Sequence, residues 1–206
     1  MVAAELSALA ASYLVGAIPT SYAVGRLFRG IDLRQHGSRN LGATNVYRVL
    51  GWRYAIPVAL LDMLKGFMPV LLFAPRALPS PLFELACGVM AVVGHVFSVF
   101  VRFNGGKGVA TAAGVVLALT PFALLACLGV WAAIVFATGY VSLGSIAAAA
   151  VLPAAVFLLH PGRRGLVWVD AILAAAIIWL HRANIGRLLK GTESRFKRRS
   201  ATDPLA

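Results

Sequence analysis

The side chains best suited to chemistry in this sequence are cations and neutral hydrogen-bond donors. In Asn104–Gly105–Gly106–Lys107–Gly108–Val109–Ala110–Thr111, three glycines bracket one lysine just before an apolar, helix-like run. Glycine lets backbone N–H groups turn toward a ligand and approach it closely. A helix N-terminus adds further donors and the positive end of a dipole. With the charge of Lys107, these are the parts of a phosphate cradle. The spacing is not the G-x-x-x-x-G-K-[ST] of a Walker A loop. A plain glycine-rich connection, its lysine resting at lipid headgroups, would use the same residues.

Two further stretches carry dense donors. The first runs from His36 to Arg48 and contains Ser38, Asn40, Thr44 and Asn45. Thr44 and Arg48 are four apart, so a short helix puts them on one side. Ser38, Thr44 and Asn45 can hydrogen-bond a phosphate, and Arg48 can grip it bidentately. The other runs from His181 to Glu193, where His181, Asn184 and Leu188 recur at helical spacing. Histidine suits proton handling near neutral pH, although basic anchors at an interfacial helix end would read alike. Tail residues Arg195, Lys197, Arg198 and Arg199 read as such anchors. Ser142 and Ser145 lie at another turn, as ligands or as helix caps. His95, alone at an apolar helix end, and Glu193, opposite a tail arginine, read as structural. There is no H-x-x-x-x-D, no H-E-x-x-H and no Cys/His metal pattern. A site of this make-up takes anions.

The elements that position these residues are membrane helices. The chain has 206 residues, 60% hydrophobic and 13% charged, with mean hydropathy +0.85. This composition excludes a water-soluble globule and points to one all-α, polytopic integral membrane domain over 1–206. Lys and Arg number 19 against 7 Asp and Glu. In such a protein the excess marks cytoplasmic loops and anionic lipid, and nucleic acid is not an expected partner. Cys87 and Cys127 lie in apolar runs and read as core residues. Glu5 and the lack of early basic residues argue against a cleaved signal peptide.

Apolar runs cover 3–24, 54–74, 82–101, 109–143, 144–160 and 166–181, with Pro19 expected to break the first. Asp62 and Lys65, at i and i+3 inside a span, read as a packing pair. Segments 26–53, 102–108 and 182–206 hold 15 of the 19 Lys and Arg. Placing all three in the cytoplasm requires two short spans within 109–143, hence about seven spans, some short or broken, with the N-terminus outside and the C-terminus inside. Arg163, Arg164 and Arg76 are then exceptions on the outer side. No internal repeat supports a transporter of inverted repeats.

In order along nearly the whole chain, three motifs resemble those of the bacterial acyl-phosphate:glycerol-3-phosphate acyltransferases, the PlsY family. Gly37–Arg48 resembles G-S-G-N-x-G-A-T-N-x-x-R. Gly94–Thr111 resembles G-H-x-F-P-x-x-x-x-F-x-G-G-K-G-V-A-T. His181–Glu193 resembles H-x-x-N-I-x-R-L-x-x-G-x-E. Arg39 replaces the usual glycine, Leu41 a frequent proline and Ser98 the usual proline.

The resemblance implies a seven-span fold in the bacterial inner membrane, with a cytoplasmic active site. It implies acyl transfer from acyl phosphate to the 1-hydroxyl of glycerol 3-phosphate, without a metal cofactor. A soluble enzyme that makes acyl phosphate is then an implied partner. On this reading Ser38, Thr44, Asn45, Arg48 and Lys107 hold two phosphates. The amides of Gly105, Gly106 and Gly108 assist, and Thr111 and Ser145 lie in the binding region. His181 and Asn184 orient the glycerol hydroxyls. Either His181 or a phosphate oxygen takes the proton. The alternative is a transporter of a phosphorylated small molecule, for which the polar residues inside the spans are sparse.

Overall fold

A computed structural model describes residues 2–196, so the anchors expected at Lys197, Arg198 and Arg199 lie outside the described residues. The described residues form two compact units, one up to Leu119 and one from Thr120. Both are helical.

The first unit contains α1 (Val2–Ala17), α2 (Thr20–Arg29), α3 (Ala43–Leu50), α4 (Trp52–Met68), α5 (Ala74–Ala77), α6 (Pro81–Val96) and α7 (Val109–Leu119). The break between α1 and α2 falls where Pro19 predicts it, because proline has no N–H to continue the ladder. Two carbonyls at the break are taken by side chains from elsewhere. The Ser98 hydroxyl donates to Ala17 O at 2.5 Å, and the Lys65 ammonium donates to Ile18 O at 2.9 Å. Pro69 opens a π-helical turn, Pro69–Phe73, that joins α4 to α5 without ending the span.

Helix pairs meet through glycine. α1 packs on α6, with Gly16 against the Ala91 backbone and Gly94 against Tyr13. α4 packs on α7, with Gly66 against Thr111 and Gly114 against Met63. Lipid offers no hydrophobic drive between helices, so close backbone contact supplies the attraction. Asp62 and Lys65 form the expected buried pair at 2.8 Å. Segment 26–53 is no loose loop. Leu33, Leu41, Val46, Leu50, Ala55, Val58 and Val101 give it a small core of its own.

The second unit contains α8 (Pro121–Thr138), α9 (Val141–Leu159), α10 (Val167–Leu180) and α11 (Arg182–Leu189). α9 packs against both α8 and α10. α11 departs from the helix before it by 56° at His181. The helical spacing of His181, Asn184 and Leu188 therefore spans a bend, with no proline or glycine to announce it.

Five helical stretches are long and apolar enough to cross a membrane: Val2–Arg29, Trp52–Ala77, Pro81–Val101, Pro121–Thr138 and Val141–Leu159. A sixth arises if Pro161–Leu180 and Arg182–Leu189 count as one broken span. Region 109–143 does divide into two helices, but α7 has 11 residues, short of the roughly 17 a full span needs. Phe136 and Trp168 stand outward, as lipid-facing side chains do. Cys87 and Cys127 are free and buried.

Candidate functional site

In the first unit, Asp32 organises the polar segment. It is the one carboxylate among six arginines in 26–53, a signal that sequence reasoning passed over. Arg34 forks onto it, with Nη2 at 2.7 Å and Nε at 3.1 Å, and reaches on to Val101 O at 3.2 Å. The guanidinium hydrogen bonds hold the Asp32 carboxyl below its ordinary range, and the same bonds raise Arg34 further. This clamp ties the segment to the turn that leads into the glycine loop.

α3 begins at Ala43, so Thr44 and Arg48 do lie on one short helix, both half-buried. Ser38 is exposed. Asn45 is 1% exposed, and its amide is spent on the fold. It accepts from Ser38 N at 2.7 Å and donates to Leu33 O and His36 O, each at 3.1 Å. Asn45, expected among the phosphate ligands, shapes the turn that presents Ser38.

The glycine loop is built differently from a cradle of free amides. Gly105 N donates to Val96 O at 3.0 Å and Gly106 N to His95 O at 3.1 Å. Those two N–H groups lock the loop onto the end of α6 and are not offered to a ligand. Gly106 must be glycine, because a Cβ there would collide with Leu41 O and His95 Nε2. The loop is thereby docked against the start of the Leu41–Arg48 stretch, with half-buried Lys107 following. Gly108, with φ 75°, turns the chain into α7. Thr111 is 0% exposed, its backbone and methyl group against Gly66, and its buried hydroxyl has no hydrogen-bond partner among the described residues.

In the second unit, Glu193 is the hub. Its Oε1 accepts from Ser142 Oγ at 2.8 Å and Asn184 Nδ2 at 2.7 Å, and its Oε2 from Arg187 Nε at 2.6 Å. Glu193 is structural, as expected, but its partner is Arg187 of α11, not a tail arginine. Burial pushes its carboxyl up, yet the bonds from Asn184, Ser142 and Arg187 outweigh that and leave it below its ordinary range. Phe196 N then donates to Gly139 O at 2.6 Å.

His181 sits at the α10–α11 bend, 3% exposed, with Nδ1 2.8 Å from Ile177 O. A carbonyl only accepts, so Nδ1 carries the proton and Nε2 is the basic nitrogen of the neutral ring. Ser145 donates to Val141 O one helical turn back at 2.9 Å and is 5% exposed. Ser142, three residues earlier, makes the bond to Glu193. Among the described residues, no three His, Cys, Asp or Glu side chains gather as a metal site.

Fold and side chains together define an integral membrane protein of packed apolar helices whose polar segments collect cations and hydroxyl or amide donors. More narrowly, residues 6–191 match the glycerol-3-phosphate acyltransferase family, and the chain belongs to it. It is 48% identical over 189 residues to a glycerol-3-phosphate acyltransferase of Trichlorobacter lovleyi, spanning 92% of this chain and 96% of that one. To the same-named protein of Desulforudis audaxviator it is 48% identical over 185 residues, 90% and 92% of the two chains. The crystal structure of PlsY (YgiH), an integral membrane glycerol 3-phosphate acyltransferase, in its glycerol 3-phosphate form superposes with a TM-score of 0.87 at 40% identity, over 94% of this chain and 96% of that one. The lysophosphatidic acid form gives 0.83 at the same identity, over 94% and 95%.

Proposed function

We propose that this enzyme transfers a fatty acyl group from acyl phosphate to the 1-hydroxyl of glycerol 3-phosphate, releasing lysophosphatidic acid and phosphate. The observation that carries the reading is the docking of the Gly105–Gly108 loop, with Lys107, onto Leu41 at the head of the stretch bearing Thr44 and Arg48. Two cationic segments far apart in the first unit's sequence thereby meet, which supports a shared anion site. An acyl phosphate is a mixed anhydride with a good leaving group. The protein's task is to hold two phosphates near each other and bring the hydroxyl to attack distance. Ser38, Arg48 and Lys107 hold phosphate. Asn184 and His181 serve the glycerol hydroxyls, and Nε2 of His181 or a donor phosphate oxygen accepts the proton. The hydroxyl oxygen bonds to the acyl carbon as the carbon–phosphate oxygen bond breaks.

The related structures in a glycerol 3-phosphate form and a lysophosphatidic acid form support this acceptor and product. The donor is the one the resemblance of the three motifs implies, and the cationic make-up of the site suits its phosphate. We place the enzyme in the bacterial cytoplasmic membrane, N-terminus outside, C-terminus and site inside, where a soluble acyl-phosphate-forming enzyme supplies it.

The test is phosphate release by purified protein given acyl phosphate and glycerol 3-phosphate, with acyl-CoA as a parallel donor. Release that needs both substrates and forms lysophosphatidic acid is expected. Activity with acyl-CoA alone as donor would overturn the donor assignment. Lys107→Ala is expected to lose about 100-fold or more in kcat/KM, because a full charge that stabilises the leaving phosphate goes with it.

A further inference from the structure

Against the glycine loop lies a small crevice, lined by Ile18, Thr20, Lys65, His95 and Gly106 among others. Its floor is a buried charged network at the α1–α2 break. Asp62, 1% exposed, accepts from Thr20 Oγ1 and from Lys65 Nζ, the latter at 2.8 Å. Lys65 is fixed a second time by Ile18 O at 2.9 Å. His95, 8% exposed, turns Nδ1 toward Asp62 Oδ1 at 3.8 Å, and that nitrogen has no hydrogen bond. Charge this deep in a membrane helix is costly, and here it is paired and faces protein. The same imidazole has its Nε2 against Gly106, on the side of that glycine that also faces Leu41 O. The ring is thus the spacer at the junction of the two cationic segments.

We propose that His95 is a positioning residue: its ring, packed beside the Asp62–Lys65 pair, sets the glycine loop, and hence Lys107, against the Leu41–Arg48 stretch. The carbonyl of His95 holds Gly106 N, so backbone and side chain of one residue fix the loop from below. Removing the ring leaves the backbone bond but opens a hole under Gly106. The loop then settles, and the gap between Lys107 and Arg48 changes. From the sequence alone His95 reads as structural. This proposal rests on the phosphate-cradle reading above.

The test compares His95→Ala and His95→Phe with wild type by steady-state kinetics in both substrates and by amide hydrogen exchange over 104–109. For H95A we expect KM for at least one phosphate-bearing substrate to rise tenfold or more, with kcat within about threefold. Faster exchange at Gly105 and Gly106 should accompany it. H95F keeps a ring of similar size and is expected to restore KM to within about threefold of wild type. A purely structural histidine would lower kcat through lost active protein and leave KM alone, and that result overturns the proposal. So does unchanged exchange in H95A. If H95A does not fold, His95→Gln carries the same expectations. Exchange needs no turnover. Protected loop amides in wild type that loosen in H95A, in a protein without acyltransfer, would overturn the cradle reading while sustaining the loop-setting role.

Discussion

Glu193 joins three partners with two oxygens, and the result depends on its charge. Burial alone would favour the neutral acid, but Ser142, Asn184 and Arg187 all donate to the carboxylate. A carboxyl held below its unfolded value contributes stability above that value, here 4.5, and loses it as pH falls through the lower folded value. Glu193→Gln keeps an acceptor for Asn184 but loses the charged bond to Arg187. It is expected to cost about 1–2 kcal/mol at pH 7, discounted because Arg187 is partly exposed. The difference from wild type should shrink below about pH 4. Thermal unfolding in detergent at pH 7 and pH 4 checks both points; an equal deficit at the two values would remove the charge from the account.

Residue types were legible in the sequence at this scale, but allegiances were not. Ser38, Asn45 and Thr111 look alike as phosphate donors in a motif, yet Asn45 and Thr111 turn inward. Nothing local distinguishes an amide that binds a ligand from one that binds its own loop. Arg39 is a different case. Its φ of 60° lies in the left-handed region, which explains why glycine suits that position.

At the scale of elements, proline and charge were good guides. Pro19 marked the α1–α2 break, and the i, i+3 spacing of Asp62 and Lys65 marked their pair. The bend at His181 was hidden because no helix breaker stands there. Ser98 shows how an element tolerates a departure from its family. Its φ of −66° is already that of proline, while its hydroxyl bonds Ala17 O. Ser98→Ala should therefore cost about 1–2 kcal/mol by leaving that carbonyl short of a donor. Ser98→Pro should regain about 0.4–1 kcal/mol of this by restricting the unfolded chain. Equilibrium or thermal unfolding of the pair decides it, and a less stable proline variant would contradict the backbone argument.

For the whole molecule, the distribution of arginine was the strongest signal available before any coordinates. The structure adds where many of them rest. Arg26 and Arg34 lie over Tyr22, Arg29 over Tyr54 and Arg53 over Trp52 in the first unit. Arg182 lies over Trp179 and Arg195 over Tyr140 in the second. Aromatic and cationic side chains meet in this way at the headgroup level. Arg164, an exception to the charge rule, is satisfied locally, stacked on Phe157 and bonded to its carbonyl at 3.2 Å. A reporter fused to the C-terminus is expected to be active only in the cytoplasm, and an external signal would invert the proposed orientation.

The shortness of α7 carries a consequence for how the chain is made. Its 11 residues rise only about 16 Å, roughly half the hydrocarbon thickness. A segment of that length gains little by partitioning into lipid alone. It is held instead by Gly66 and Gly114, which bring its backbone against α4. During synthesis α4 has already emerged when α7 arrives, so the earlier helix serves as the template that draws the later one in. For this stretch, entering the membrane and folding are one event.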